Sequence, residues 1–265
     1  MSIASPCSGD SINLLIRRLN ARATLSPAER EFLATQHYYT RSYAAGAAVR
    51  VEDERPHRPT LIVSGWACRE QISPNGRRQL VSLLMPGDVI WAAGERRPID
   101  LLEVVALSNL KVVDIADVTR AITKDPARFP SIVFGLGQLQ FAEELNLLEH
   151  VVRLGSQPAH QRVAGLFIEL YERARSIGFV TGRSFVVPLT QEHFGNLVGL
   201  SIVHIHRVLR RFKAEGVLQI RSGLVEILDE AGLARIAESS MTDYPCLPAI
   251  TRQRVDRPAL EMSAG

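Results

Sequence analysis

With 265 residues the chain has room for one large domain or two modest ones. A content of 46% apolar and 22% charged residues lies near the globular average and excludes a mainly disordered or collagen-like chain. Thirty-one Lys and Arg stand against 28 Asp and Glu, a balance of only +3, so any attraction for a polyanion has to come from local clustering. Cys7, Cys68 and Cys246 lie far apart with no CxxC spacing, which argues against a zinc ribbon and fits a reducing cytosol. The sequence carries no apolar run long enough for a signal-peptide core or a membrane span, and a cytoplasmic protein without membrane attachment is expected.

Residues 10–36 read as short packing helices: Ile12, Leu15, Ile16 and Leu19 share one face, and Ser26-Pro27 is a start signal ahead of Ala28 to Thr35. From Ala47 to Ile115 the pattern changes to short runs rich in β-branched residues, namely Leu61 to Val63, Ala67 to Ile72, Gln79 to Leu84, Leu101 to Leu107 and Leu110 to Ile115. Ser64-Gly65, Pro74-Asn75-Gly76 and Met85-Pro86-Gly87-Asp88 punctuate them, which predicts a small all-β barrel or jelly roll. Within it Cys68 reads as a small core residue and Trp91 as packing beneath the barrel lip.

Beyond Asp117 the period becomes helical. Pro126 and Pro130 bracket a start, and Ser131 to Leu154 then runs without proline for about 36 Å at 1.5 Å per residue. Ile132, Leu136, Leu139, Glu143, Leu147, His150 and Leu154 follow a 3-4 spacing, while Phe134, Phe141, Leu145, Leu148 and Val152 are apolar on other faces. So wide an apolar girth suits a helix that lays one side on the barrel and offers another to a twin. The stripe from Ile132 to Leu154 is the expected homodimer seam; a helix buried wholly within one chain is the alternative. Gly155 to Pro158 breaks the pattern, and a further helix carries Val163, Leu166, Phe167, Leu170 and Tyr171 as far as Ser176. The expected division is therefore a barrel domain with N-terminal helices over 1–125, a dimerisation helix and hinge over 126–155, a C-terminal domain over 156–240 and a loose, proline-containing tail over 241–265.

The segment from Leu189 to Gly216 has the spacing of a helix-turn-helix. Phe194 and Val198 fall on one inward face with Gly195 between them, where a second helix must come close. Gly199 supplies a left-handed turn residue, Leu200 tucks inward, and Thr190 and Ser201 are suited to cap the two helices. On a wheel of about 100° per residue, Ile205, Val208, Leu209 and Phe212 gather on the core side, and Val203, Arg207 and Arg210 point outward with His204, His206 and Arg211 on the flanks. From Arg183 to Arg221 six basic residues meet two acidic ones, a local surplus larger than that of the whole chain. Val217 to Ile220 and Leu224 to Leu228, joined by Arg221-Ser222-Gly223, read as a hairpin, and Phe185 to Val187 as a third strand, giving a winged helix.

The order of barrel, long helix, hinge and LTQEHFGNLVGLSIVHIHRVLRRFKAEGVL resembles the Crp/Fnr family of bacterial transcription regulators. The layout matches over roughly residues 10–238, the motif over Leu189 to Leu218. The resemblance implies an α+β protein: a cyclic-nucleotide-binding-like jelly roll, a long dimerisation helix and a C-terminal winged helix-turn-helix. Its implied partners are double-stranded DNA, a second copy of the chain and, by family analogy, RNA polymerase. The family's base-reading positions correspond to Val203, His206 and Arg207; Arg207 suits guanine, while Val203 replaces the usual Glu and suits a thymine methyl. Thr190, Gln191, Ser201, Arg210, Arg211 and Arg221 are expected at phosphates.

The barrel departs from the family's cyclic-nucleotide pocket. After Met85 to Ile90, the Gly94-Glu95 pair is displaced by several residues and no Arg-Ser follows, so cyclic AMP is not expected, and lone Cys7 cannot supply an iron–sulfur cluster. No cofactor is expected. An enzyme is the competing class, yet a cupin-like metal site lacks its ligands, with only His37 and His57 in the barrel region, and no GxSxG, HExxH or Walker loop occurs. His204 and His206, two residues apart on a helix, point about 200° apart and do not converge on a metal. A ligand-sensing dimer without DNA binding would carry a neutral outward face, and here that face is basic.

Overall fold

The computed structural model describes residues 5–6, 9–49, 59–74, 76, 78–91 and 102–237. The expectations for Cys7, His57, Gly94-Glu95, Cys246 and the tail over 241–265 lie outside these residues. Two antiparallel sheets form the N-terminal unit. One has the order β1 (Ser5–Pro6), β2 (Tyr39–Tyr43), β8 (Leu110–Asp114), β3 (Thr60–Ser64), β6 (Val89–Ile90); the other β5 (Arg78–Leu84), β4 (Ala67–Ile72), β7 (Glu103–Ala106). Ile62, Leu110 and Val112 from the first sheet meet Ala67, Leu84, Val104 and Ala106 from the second in one buried cluster, as facing sheets with alternating side chains require.

Three helices flank the sheets: α1 (Gly9–Asn20), α2 (Pro27–Thr35) and α3 (Ala116–Lys124). The helix starts where Ser26-Pro27 signals, and Ser26 and Glu29 close that start with a reciprocal capping box. Glu29 does more than close its own helix. Its Oε2 accepts from the Ser26 N–H at 2.8 Å, while Oε1 accepts from the Ser131 and Ile132 N–H groups at 2.8 and 3.1 Å. Those two donors are free amides in the first turn of the longest element, α4 (Pro130–Ser156), whose own N-cap residue, Phe129, offers no side-chain bond.

The structure corrects the expected seam. Ile132, Leu136 and Leu139 are buried against Leu15, Leu19 and Leu33 of the N-terminal helices within the same chain. Glu143 pairs with buried Arg69 of β4, His150 is buried, and Leu147 and Leu154 are half-buried. Sequence spacing reveals that a stripe is apolar, not which surface covers it, and this one is covered by its own barrel and helices. The uncovered side holds Phe134, Phe141, Leu148, Val151 and Val152, and along it Phe134, Gly137, Phe141, Glu144, Leu148, Val151 and Gly155 are all exposed at alternating 3-4 steps.

The C-terminal unit comprises α5 (Ala159–Ser176), β9 (Ser184–Val186), α6 (Gln191–Val198), α7 (Ile202–Ala214), β10 (Leu218–Arg221), β11 (Leu224–Ile227) and α8 (Glu230–Ala237). β11 pairs with both β10 and β9, giving the three-stranded wing sheet. Its largest apolar cluster does not stop at the unit's edge. Phe167, Leu170, Phe194 and Phe212 belong to the same buried cluster as Trp66, Cys68, Leu80, Leu83, Met85 and Val105 of the barrel.

Candidate nucleic-acid interface

The helix-turn-helix is built by local chemistry that can be followed residue by residue. Thr190 Oγ1 accepts from the His193 N–H at 3.2 Å, and His193 Nδ1 accepts from the Thr190 N–H at 3.3 Å, a reciprocal cap at the start of α6. Burial lowers the His193 pKa against the opposing pull of Glu192 and Glu70, which keeps the ring in the neutral form that this acceptor role requires. Gly199 ends α6 in the left-handed conformation with φ 67°. At Gly195 a Cβ would stand 2.6 Å from the Leu200 carbonyl oxygen, so only glycine lets the turn fold back onto α6. Ser201 then caps α7, its Oγ accepting from the His204 N–H at 3.3 Å.

Ile205, Val208 and Phe212 of α7 are buried beneath this arrangement. The opposite face is bare: Val203 is 70% exposed, and Ile202, Val203, His206, Arg207 and Arg210 line an open hollow along the helix. The three residues expected to read bases thus come together, with Arg210 alongside. Among the residues expected at phosphates, Thr190 is exposed at the head of α6, Gln191 is half-buried beside it, and Ser201 is exposed at the head of α7. Arg211 is exposed and paired with Glu215 at 2.7 Å, an exposed pair weak enough to exchange for a phosphate. Arg221 is exposed at the end of β10, beside the two-residue turn Ser222-Gly223, both at positive φ, that closes the wing.

Sequence reasoning missed three contributors. Ile202, half exposed, extends the apolar part of the uncovered α7 face next to Val203. Arg162 of α5 donates to the Val198 carbonyl at 2.9 Å, placing a cation at the negative end of α6. Gln79 of β5 donates to the Asn196 carbonyl at 2.7 Å, so a barrel strand holds the first helix of the motif. No local motif announces the last two, because they join segments distant in sequence. Among the described residues no three His, Cys, Asp or Glu side chains gather as metal ligands, and no helix is long and apolar enough to cross a membrane.

A double-sheet barrel is joined by a long helix to a winged helix whose α7 leaves a cationic face uncovered, the layout of a helix-turn-helix regulator. Residues 161–236 match the Crp-like helix-turn-helix domain. The chain is 26% identical over 223 residues to the transcriptional activator protein FnrL of Cereibacter sphaeroides, covering 80% of this chain and 88% of that protein. It is 24% identical to the nitrogen fixation regulation protein FixK of Azorhizobium caulinodans, covering 73% and 77%. The solved structure of FixK2 from Bradyrhizobium japonicum superposes with a TM-score of 0.61 at 20% identity, over 75% of this chain and 96% of that one, a likeness of fold. The chain is thus similar to transcription regulators of the Crp/Fnr family, with a Crp-like helix-turn-helix domain over residues 161–236.

Proposed function

We propose that the chain acts as a homodimer that reads a two-fold-related DNA site, each α7 lying in a major groove, with half-sites about one helical turn apart. The observation that carries this reading is the geometry of α7: an apolar side locked into the domain and a bare opposite side on which Arg207 and Arg210 stand around Val203. Arg207 donates both ends of its guanidinium to guanine O6 and N7, Val203 packs on a thymine methyl, and His206 contacts the neighbouring base edge. Thr190, Gln191, Ser201, Arg210, Arg211 and Arg221 hold the backbone. The dimer forms through the uncovered stripe Phe134, Phe141, Leu148 and Val151 of α4, whose exposed apolar side chains at heptad-like steps suit a second copy of the same helix.

In this reading the barrel over 1–125 senses, the helix over 126–155 pairs and the unit over 156–240 reads. A signal received at the barrel changes how the two α4 helices pair and so sets the spacing of the heads. The regulator works in the cytoplasm with DNA and RNA polymerase as partners, and no enzymatic activity or cofactor is assigned to it. The test is selection of bound fragments from random duplex DNA, followed by Arg207→Ala at fixed salt. Arg207→Ala should cost about 1–3 kcal/mol of discrimination at a single guanine position. Arg210→Ala should weaken all sequences alike and reduce the salt slope by about one. Failure of the intact protein to bind any duplex at low ionic strength would overturn the reading.

A further inference from the structure

A chain of buried charges runs through the junction between barrel and reading head. Asp88 closes the turn after β5, its Oδ2 accepting from the Met85 N–H at 2.8 Å. The same oxygen accepts from Arg173 Nη2 of α5 at 2.5 Å, and Oδ1 accepts from Arg18 Nη2 of α1 at 3.1 Å. Arg173 also donates to the Leu83 carbonyl at 3.0 Å and to Glu169 Oε1 at 2.9 Å, and Glu169 Oε2 accepts from Arg153 of α4 at 2.6 Å. Arg18 completes the set by donating to Ser176 Oγ at 2.9 Å. Each of the five charged members, Arg18, Asp88, Arg153, Glu169 and Arg173, has a side chain no more than 15% exposed. Arg22, in the turn just after α1, adds a further positive field on the same centre.

Burying charges is costly, and an apolar junction of the same shape would be as stable or more so; what the ions contribute is a demand for one relative placement. The apolar side chains shared by barrel and head tolerate sliding, whereas Arg173 satisfies Asp88, Glu169 and the Leu83 carbonyl together in one position only. The chain touches α1, the barrel turn, the first helix of the head and the last turn of the pairing helix, the four parts whose relative placement sets where α7 points. We propose that Asp88 is a positioning residue that holds the reading head at a fixed angle to the barrel and pairing helix, and so sets the half-site spacing the dimer accepts. The effect on spacing rests on the dimeric DNA-binding reading above; the effect on the angle does not.

Two measurements on the full chain separate these claims. The first needs no DNA: spin labels at Lys111→Cys on the barrel and Arg235→Cys on the head, with Cys7 and Cys246 replaced by Ser and the labelled chain diluted with unlabelled chain, report the distance distribution. It should be narrow in the parent and broad in Asp88→Asn and in Arg173→Lys, which keeps the charge but loses the fork. Unchanged distributions in both variants would overturn the proposal, whatever the chain does with DNA. The second measures affinity for a single half-site and for full sites with the spacer shortened or lengthened by two base pairs. Asp88→Asn should leave half-site affinity within about twofold and lower the preference for the correct spacer at least about tenfold. A parallel loss of thermal stability and half-site affinity with spacer preference intact would mark Asp88 as merely structural and reject its positioning role. Absence of DNA binding by the parent, with the distances broadening as expected, would instead refute the dimeric DNA-binding reading and leave the angle-holding role supported.

Discussion

Gly195→Ala tests the helix-turn-helix at the point where its two helices come nearest. A methyl there would lie 2.6 Å from the Leu200 carbonyl oxygen, a backbone atom with no rotamer to escape into, so the turn has to retreat by about half an ångström. The substitution brings a helix-propensity gain of up to about 1 kcal/mol, the usual advantage of Ala over Gly within a helix. Against it stand overpacking of about 1–3 kcal/mol and weakening of the Leu200 N–H bond to the Gly195 carbonyl, now 2.9 Å, worth about 1 kcal/mol. The loss wins, and a net destabilisation of about 1–3 kcal/mol is expected, lowering the melting temperature by roughly 2–4 °C per kcal/mol if the whole chain melts together. Because the displaced turn carries Ser201 and the first turn of α7, DNA affinity should fall about tenfold, the equivalent of one lost base contact. Calorimetry and a binding titration check both. A variant as stable as the parent that binds equally well would refute the close approach on which the motif rests.

Leu148→Asp or Phe141→Asp should yield monomers in sedimentation velocity at concentrations where the parent is dimeric, whereas Leu136→Ala should cost about 2–5 kcal/mol of folding stability without changing the oligomeric state. Burial pushes Glu172 up to about 7, with Arg175 lowering it and Glu149, Glu230 and Glu169 adding to the rise. Its carboxyl therefore supports the fold fully below its ordinary pKa of 4.5 and loses that support as pH rises through about 7, a contribution of up to roughly 3 kcal/mol. Urea titrations should find the chain more stable near pH 5.5 than near pH 8, and Glu172→Gln should flatten that difference. Burial, with Glu70 adding to it, pushes the Cys68 thiol up to about 12, so alkylation at that residue, followed by peptide mapping at neutral pH, should track unfolding rather than reagent concentration.

The helix-turn-helix was legible because its constraints are local. Thr190, Gly195, Gly199 and Ser201 each serve a backbone within a few residues, so spacing alone places them, and the wheel then orients Val203, Arg207 and Arg210. The long helix was legible as an element but not in its orientation. Two apolar stripes lie on one segment, and the choice between them depends on α1 and α2, far upstream in sequence, which cover Ile132, Leu136 and Leu139. Glu143 and His150 within the first stripe were a signal that could have been used: Arg69 satisfies the former inside the chain, where an apolar pairing surface offers a carboxylate no partner. The charged junction around Asp88 left no trace in periodicity, since its members are scattered over α1, the turn after β5, α4 and α5, with only Glu169 and Arg173 sharing an element.

The carboxylate of Glu29 has a consequence for anyone grafting sensor modules between regulators of this kind. One side chain initiates both its own helix and the long rod α4, so the residues ahead of the barrel are part of the rod's foundation rather than a dispensable leader. A chimera joined just upstream of β2 would inherit an intact barrel and a rod whose first turn frays. Transplants that include residues 9–36 together with the barrel keep the anchor, and a single exchange at Glu29 should weaken two helices at once.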